Sequence, residues 1–344
     1  MKILSIGNFK NQSNTALHRH WCLEKIGSEV HQLNIEYKVS FFYKLNNQLF
    51  RWGLPIHLPD DLKINLKVRK LVTQNIYDII WVDKSLILSA ATLKFIKAKQ
   101  PNVKIISFSL DNMTLRHNQS QNYLKAFKLY DIHITNKSPY INTMYAMGAQ
   151  KVIFTNNTYE ASYHYPRTVC DEKRKRYSCD VGFIGFWEKE RCESLLFLAQ
   201  NGILVKVFGT GKWNDYKNAH ENLIIDTNGL YSEEYCKAIG VFKISIGFLR
   251  KWNQDLQTSR NMEIPACGGF MLSERTSELL HLFNEDKEAA YFGDNQELLA
   301  KCKYYLKHEQ KRKQIAVNGM ERCRISGYSN METLKRLLKQ IENA

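Results

Sequence analysis

Short apolar runs alternate with longer amphipathic segments along most of the chain. In the first half, the apolar runs predict strands at 2–6, 30–34, 79–82, 104–109, 131–135 and 151–154. Apolar residues at helical spacing predict helices at 16–26, 61–74, 88–99, 121–129 and 140–147. This alternation is typical of a parallel sheet built from strand-helix-strand units. The first half therefore predicts a doubly wound domain.

The alternation lapses after residue 156 and resumes after a basic run at 173–176. Strands are then predicted at 180–184, 204–208, 223–225, 244–247 and 270–273. Asp294, with Glu297 three residues later, has the spacing of a capping box and predicts the start of the closing helices. We therefore predict an α/β fold class with two Rossmann-like domains that face each other across a cleft. Their predicted bounds are 1–160 and 179–344, joined by a linker at 161–178.

The stretch Thr-Ser-Arg-Asn-Met-Glu-Ile-Pro-Ala-Cys-Gly-Gly at 258–269 is the most informative part of the chain. Thr258 and Ser259 predict a helix start, because hydroxyl side chains cap the first amides of a helix. Gly268 and Gly269 predict its end. The start of a helix carries partial positive charge and attracts anions. A short helix with an anion-attracting first turn is therefore predicted here.

Arg260 and Glu263 lie one turn apart on the same face of this helix. An arginine in the first turn faces the positive end of the helix dipole, which is unfavourable unless an anion lies between them. A carboxylate one turn further along can accept hydrogen bonds from the two hydroxyls of a ribose. Together they predict a site for a nucleoside diphosphate. The alternatives are a surface salt bridge from Arg260 to Asp255 and a capping or helix-pairing carboxylate at Glu263.

The sequence Arg-Asn-Met-Glu-Ile-Pro-Ala-Cys-Gly-Gly-Phe-Met-Leu at 260–272 resembles the donor-site signature of the spore-protein (CgeB-type) glycosyltransferases, a branch of the two-domain GT-B sugar transferases. The stretches at 180–185 and 207–211 resemble the opening strands of that family's donor domain, and 288–294 resembles its closing region. Segments at 109–112, 117–120, 130–131 and 135–138 resemble the acceptor-side half of sugar transferases from bacterial surface-polysaccharide clusters. The resemblance covers roughly the whole chain.

This resemblance implies a cytoplasmic GT-B glycosyltransferase that moves a sugar from a nucleotide-sugar donor to a hydroxyl of a glycan or lipid-linked acceptor. The product would be part of a bacterial cell-surface polysaccharide or glycoconjugate. Residues 1–160 would form the acceptor-side domain and 179–344 the nucleotide-sugar-binding domain. Such transferases generally work without a divalent ion, and the sequence shows no metal-ligand spacing of histidines or carboxylates. We expect no cofactor beyond the nucleotide sugar as co-substrate.

Ligands of doubly wound sheets bind beyond the carboxyl ends of the strands. On the donor side, glycine loops follow two predicted strands, and an arginine follows one of them. The predicted donor-binding residues are Gly185, Arg191, Gly209, Gly211, Thr258, Ser259, Arg260 and Glu263. Arg191 is expected to contact a phosphate, and the glycines are expected to let backbone amides approach it. The alternative for each glycine loop is an ordinary tight turn.

On the acceptor side, Asp83 and Asp111 each follow a predicted strand, so the fold brings both to the same edge of the sheet. Asp111 and His117 are the candidate catalytic residues, because a carboxylate or an imidazole can accept the proton of an attacking hydroxyl. The alternatives are an N-cap at Asp111 and a plain polar loop residue at His117. Gly7, Asp83 and Asn118 are predicted to line the acceptor side.

Composition limits the other functions. The 344 residues are 44% hydrophobic and 24% charged, which suits two domains with separate cores, and the eight cysteines include no Cys-x-x-Cys pair. The net charge of +15 suits nucleic acid, an anionic membrane or a phosphorylated ligand. Because no reading helix, RNA-binding sheet motif or zinc finger is recognisable, nucleic acid is the weaker alternative. The other alternative function is a nucleotide- or glycan-binding protein that has the same fold but does not catalyse a reaction.

The segment at 37–53 combines aromatic and basic residues. They are Phe41, Phe42, Phe50 and Trp52 with Lys38, Lys44 and Arg51. This composition suits a membrane interface, where rings lie at headgroup level and cations meet anionic lipid. The segment therefore predicts peripheral association with the inner face of the membrane. The alternative is a helix that packs its aromatics into the first domain.

Overall fold

The computed structural model describes residues 1–35 and 40–343. The chain divides into two compact units, of which the first comprises Met1–Asn156 with Asn330–Ala344 and the second comprises Asn157–Ser329. In the described residues, each unit contains a sheet of six parallel strands. Helices pack on both faces of each sheet. The predicted α/β class with two doubly wound domains is therefore confirmed.

The first sheet has the order β2-β1-β3-β4-β5-β6. Its strands are β1 (Lys2–Gly7), β2 (Glu29–Asn34), β3 (Ile79–Asp83), β4 (Lys104–Ser109), β5 (Ile132–Thr135) and β6 (Val152–Phe154). The helices along this part of the chain are α1 (Thr15–Ile26), α2 (Phe41–Arg51), α3 (Ile64–Gln74), α4 (Ala90–Lys99), α5 (Gln121–Ala126) and α6 (Ile141–Ala146). Successive strand residues point to opposite faces, so Ile3 and Leu4 enter different cores.

The second sheet has the order β12-β11-β10-β7-β8-β9. Its strands are β7 (Val181–Ile184), β8 (Val205–Phe208), β9 (Leu223–Asp226), β10 (Ile244–Gly247), β11 (Met271–Glu274) and β12 (Ala290–Phe292). Its helices are α7 (Asp171–Tyr177), α8 (Lys189–Gln200), α9 (Ser232–Val241), α10 (Ser259–Ala266), α11 (Ser277–Leu282), α12 (Asn295–Lys307) and α13 (Glu309–Ile325). The sequence pattern did not predict β12, which is three residues long.

The last helix, α14 (Asn330–Glu342), belongs to the first unit. Leu334, Leu337, Leu338 and Ile341 lie on one face of it and are buried among residues of α1 and the first sheet. The structure thus differs from the predicted second domain at 179–344. Helical periodicity predicts that this segment has an apolar face, but it does not specify which core receives that face.

The segment at 161–178, predicted as a linker, is part of the second unit. Tyr177 is fully buried, and its hydroxyl donates to the Glu234 carboxylate of α9. Lys173 Nζ pairs with the same carboxylate at 2.7 Å. The basic run therefore lies on α7, which docks on α9 through Lys173 and Tyr177.

Candidate functional site

Each sheet has a topological switch point, where connections leave neighbouring strands in opposite directions and ligand-binding loops separate. In the second sheet it lies between β7 and β10. Beyond β10, Thr258 caps α10, and its N–H donates to Asn261 Oδ1 at 2.7 Å. Asn261 is buried, and its Nδ2 donates to Ser273 Oγ at 2.9 Å, which in turn donates to the Gly247 carbonyl at 2.8 Å. This network holds the start of α10 against the ends of β10 and β11.

Arg260 and Glu263 form an ion pair on α10. Glu263 Oε2 accepts hydrogen bonds from Arg260 Nη1 and, at 2.8 Å, from the Tyr235 hydroxyl. His164 Nε2 lies 3.7 Å from Glu263 Oε1. The Glu263 side chain is 5% exposed, whereas that of Arg260 is 39% exposed. Protein therefore encloses the carboxylate, while the guanidinium presents one side to solvent.

The charges of this cluster stabilise one another. Burial by itself opposes ionisation of Glu263, but the charge of Arg260, the nearby His164 and the hydrogen bonds from Tyr235 and Arg260 outweigh it and lower the pKa of Glu263 to about 2. Burial raises the pKa of Tyr235 well above its usual value, so its hydroxyl stays protonated and donates. The Arg260 guanidinium lies 4.5 Å over the Tyr235 ring. The ion pair is therefore fully charged at neutral pH.

We expect Glu263→Gln to lower the free energy of unfolding by about 1–3 kcal/mol at pH 7, because a charge-assisted partner of a buried group is lost. The pKa of Glu263 is depressed in the folded state, so its contribution is present above the unfolded-state pKa of about 4.3. It is lost as the pH falls toward the folded-state value. The difference between the two proteins should therefore stay constant from pH 7 to pH 5 and shrink at pH 4. Urea unfolding at these pH values measures it, and equal stability at pH 7 would contradict the prediction.

The glycine loops of the second unit are close-packed turns. The Gly185 N–H donates to the Phe208 carbonyl at 3.1 Å and the Gly209 N–H to the Asp226 carbonyl at 3.0 Å, so both amides extend the strand pairing. A Cβ on Gly209 would lie 2.1 Å from the Gly185 carbonyl oxygen. Gly211 has a φ of +87°, which glycine adopts without strain. The Gly185 and Gly209 amides are thus bonded within the protein, and the predicted role of Gly185, Gly209 and Gly211 in donor binding stays a prediction.

Arg191, in the first turn of α8, is buried. Its guanidinium donates to the Phe186 carbonyl at 3.2 Å and the Leu249 carbonyl at 3.1 Å, and it pairs with Glu188 at 3.0 Å. These contacts join the loop after β7 to the loop after β10, at the switch point. Arg191 therefore positions these loops, and its contact with a phosphate stays a prediction.

In the first sheet the switch point lies between β1 and β3. Lys84 directly follows β3 and has a left-handed φ of 38°. Its ammonium pairs with the Asp111 carboxylate and lies 3.4 Å from Asn118 Oδ1. Asn118 is itself buried, and its Nδ2 donates to the Asn112 carbonyl at 3.0 Å. The loop after β4 is thus held to the end of β3 through Lys84.

His117 lies on the 3-10 turn Arg116–Asn118 of this loop. Burial lowers the pKa of His117, the charges of Arg51 and Lys84 lower it further, and Asp111 offsets part of the change. The imidazole is therefore neutral at neutral pH and able to accept a proton. The structure brings the two predicted catalytic residues, Asp111 and His117, into one polar cluster around Lys84.

Asp83, the last residue of β3, is buried and paired. Arg19 of α1 donates to both of its carboxylate oxygens, at 2.8 and 2.6 Å, and the Trp81 indole N–H lies 3.3 Å from one of them. A Cβ on Gly7 would lie 3.1 Å from the Asp83 Cβ, so Gly7 permits the close approach of β1 and β3. Asp83 and Gly7 therefore have structural roles in the first unit, and their place on the acceptor side stays a prediction.

Sequence reasoning assigned no role to Tyr235 or His164. Tyr235 lies on the buried face of α9, where an aromatic residue indicates only a core. His164 falls in the predicted linker, so its approach to Glu263 was not expected. Lys84 was predicted as part of the first-domain polar cluster, but its pairing with Asp111 was not. The partner of Arg260 is Glu263, whereas the sequence suggested Asp255 as the alternative.

Two further searches of the described residues were negative. Residues 1–35 and 40–343 contain no group of three histidine, cysteine, aspartate or glutamate side chains placed to hold a metal ion. No helix in the same residues is long and apolar enough to cross a membrane.

Known structures share this architecture. HepE of Anabaena, in complex with UDP and glucose, is 11% identical, with 100% of both chains covered and a TM-score of 0.64. A glycosyltransferase of Rickettsia africae is 12% identical over 99% of this chain and 98% of its own, with a TM-score of 0.67. Sucrose-phosphate synthase of Thermosynechococcus elongatus is 11% identical over 100% and 99%, with a TM-score of 0.66. The chain has the GT-B glycosyltransferase fold.

Within this GT-B chain, residues 191–339 match the model of a family described as glycosyl transferase-like. The match includes α10 with Arg260 and Glu263, and it ends within α14. A comparison with curated proteins finds no match. The start of α10 therefore lies within the part of the chain that matches this family.

Proposed function

We propose that this GT-B protein is a glycosyltransferase that moves a sugar from a nucleotide-sugar donor to a hydroxyl acceptor. The proposal rests on one observation above others. The partly exposed guanidinium of Arg260 stands in the first turn of α10, held by buried Glu263, inside the range that matches the glycosyl transferase-like family. A helix start and a fixed cation both attract a diphosphate. The HepE structures with UDP and with UDP-glucose suggest the nucleotide to test first.

Arg260 would bind the diphosphate through N–H groups that do not face Glu263, since a guanidinium has five donors in a planar fork. When the bond from the anomeric carbon to the diphosphate breaks, negative charge grows on the departing oxygen. A cation already in place stabilises that charge without reorganisation. Thr258 and Ser259 would contribute by setting the helix start, and Glu263 by orienting Arg260. We also propose that Glu263 Oε1 accepts a ribose hydroxyl; because protein encloses this carboxylate and His164 lies 3.7 Å from Oε1, that contact requires the surrounding side chains to move when the nucleotide binds.

In the first unit, Asp111 or His117 would act as the base. The oxygen of the acceptor hydroxyl forms a bond to the anomeric carbon, the bond to the diphosphate breaks, and the hydroxyl proton passes to the carboxylate or the imidazole. Lys84 would orient the Asp111 carboxylate with which it pairs. His117 is suited to the same role because its lowered pKa keeps it neutral.

We place the reaction in the cytoplasm, at the inner face of the membrane, and propose a glycan or a lipid-linked intermediate of a bacterial cell-surface polymer as the acceptor. The CgeB-type signature around Arg260 and the net charge of +15 support this finer assignment. We also propose that no divalent ion takes part, because Arg260 and the start of α10 can neutralise the diphosphate.

The proposal predicts that UDP and UDP-glucose raise the midpoint of thermal unfolding by several degrees, because a ligand of the folded state contributes about 2.7 kcal/mol at a hundred times its Kd. The increase should persist in EDTA, and so should sugar transfer. Parallel measurements with ADP- and GDP-sugars identify the nucleotide. No stabilisation by any nucleotide sugar would contradict the donor site. Stabilisation without transfer to any acceptor would favour the binding protein that lacks turnover.

A further inference from the structure

The helix α2 exposes an apolar face. Phe41, Phe42 and Trp52 are 73%, 67% and 71% exposed, and Leu45 is 41% exposed. At the 100° that each helical residue turns, these four positions lie on one side of the helix, and the fully buried Phe50 lies on the other. Large apolar side chains gathered on one exposed face mark an interaction surface.

The opposite side of α2 is anchored to the first unit. Arg116 Nε donates to the Phe50 carbonyl at 2.7 Å, and its guanidinium lies 4.2 Å over the Phe50 ring. Asn46 Nδ2 donates to the His57 carbonyl at 2.9 Å. The sequence alternative, in which the aromatics enter the first domain, therefore holds for Phe50 and in part for Tyr43, which packs against the core of the first unit. It fails for Phe41, Phe42 and Trp52.

The charges around this face favour an anionic partner. Lys44 and Arg51 are exposed on α2, and the helix itself contains no aspartate or glutamate. One carboxylate lies at its start, where Asp61 accepts a hydrogen bond from Ser40 Oγ at 2.6 Å. Lys38, the third cation of the predicted segment, lies outside the described residues. Rings that enter the headgroup boundary and cations that meet lipid phosphates are the two attractions of an interfacial helix. A second copy of the chain would bring the same cations to the same face, which opposes self-association.

We propose that α2 docks the protein on an anionic bilayer, with Phe41, Phe42, Leu45 and Trp52 in the headgroup region. The helix also touches the acceptor-side cluster, because Arg51 Nη2 donates to the His117 carbonyl at 3.5 Å. If the proposed function holds, this contact brings the base-bearing loop close to the membrane surface. A lipid-linked acceptor would present its hydroxyl there.

Sedimentation of the full chain with vesicles tests the docking. We compare phosphatidylcholine with an equimolar mixture of phosphatidylcholine and phosphatidylglycerol. The protein should bind the anionic vesicles about tenfold more, and binding should fall as salt rises. The double variant Phe41→Ser, Phe42→Ser should lose about tenfold of that binding. Leu66→Ser is the matched control, since Leu66 is 62% exposed on α3 outside this face, and it should bind as the wild type does.

UDP affinity, measured on the same proteins, separates this proposal from the proposed function. Unchanged UDP affinity in the double variant shows that it is folded. Vesicle binding without UDP binding would support docking and contradict the transferase. Equal binding of the wild type and the double variant to anionic vesicles, or no binding by either, would overturn the docking. A dimer seen by light scattering and abolished by the same substitutions would assign the face to a second copy and also overturn it.

Discussion

Replacing Asp111 with asparagine is expected to lower the rate of sugar transfer by about 10²- to 10⁴-fold while UDP affinity stays nearly unchanged. Asparagine keeps the size of the side chain and an oxygen for Lys84, but it cannot accept the proton of the attacking hydroxyl. His117→Ala tests the other candidate base. Steady-state kinetics with a transferable acceptor, together with UDP calorimetry, separates turnover from donor binding.

The pH dependence of turnover distinguishes the two bases. The pKa of His117 is lowered from its usual value of about 6.5, so a rate that depends on neutral His117 should fall only below that pH. The acidic limb should then disappear in the residual activity of His117→Ala. Glu24→Gln, at an exposed carboxylate of α1, is the matched control and should keep parental kinetics. If both Asp111→Asn and His117→Ala keep near-parental turnover, neither residue is the base. The proton is then accepted by another residue or by the substrate itself.

Replacing Arg260 with alanine is expected to weaken UDP binding about 10- to 150-fold, the equivalent of losing a charge-assisted hydrogen bond of about 1.5–3 kcal/mol. Arg260→Lys keeps the charge but loses the planar fork, so it should recover only part of the affinity. Arg324→Ala is the matched control, because Arg324 is an exposed arginine of the same unit that pairs only locally with Glu321 in the described structure. Unchanged calorimetric affinity in Arg260→Ala would remove α10 from the donor site.

Glu263 calls for a different comparison, because it contacts Arg260 and is also proposed to reach a ribose. The wild type should prefer UDP to 2′-deoxy-UDP if Glu263 Oε1 accepts a ribose hydroxyl. Glu263→Gln should then lose that preference, since the amide is a weaker acceptor than the carboxylate. If both nucleotides weaken by the same factor in Glu263→Gln, the residue acts only by orienting Arg260.

Local patterns in the sequence predicted most of the elements. The capping hydroxyl at Thr258 and the glycine pair at 268–269 bracketed α10 to within about two residues, because both act through backbone hydrogen bonds of their own neighbourhood. The apolar runs located eleven of the twelve strands in the described residues. β12 is the strand that the sequence pattern missed. A structural feature can be predicted from the sequence when the residues that form it are close along the chain.

Which side chains meet across the fold was decided by tertiary packing. The sequence by itself determined two doubly wound domains, a helix start at 258–260 and Asp111 and His117 on one loop. Only the three-dimensional structure showed that Arg19 occupies both oxygens of Asp83, that Arg191 binds loop carbonyls, and that α14 packs on the first unit. Each of these contacts joins residues that are distant along the chain. Which of them pair depends on how the whole chain packs around each buried polar group or apolar face. Such groups must find partners once they leave water, and that pairing is a property of the whole fold.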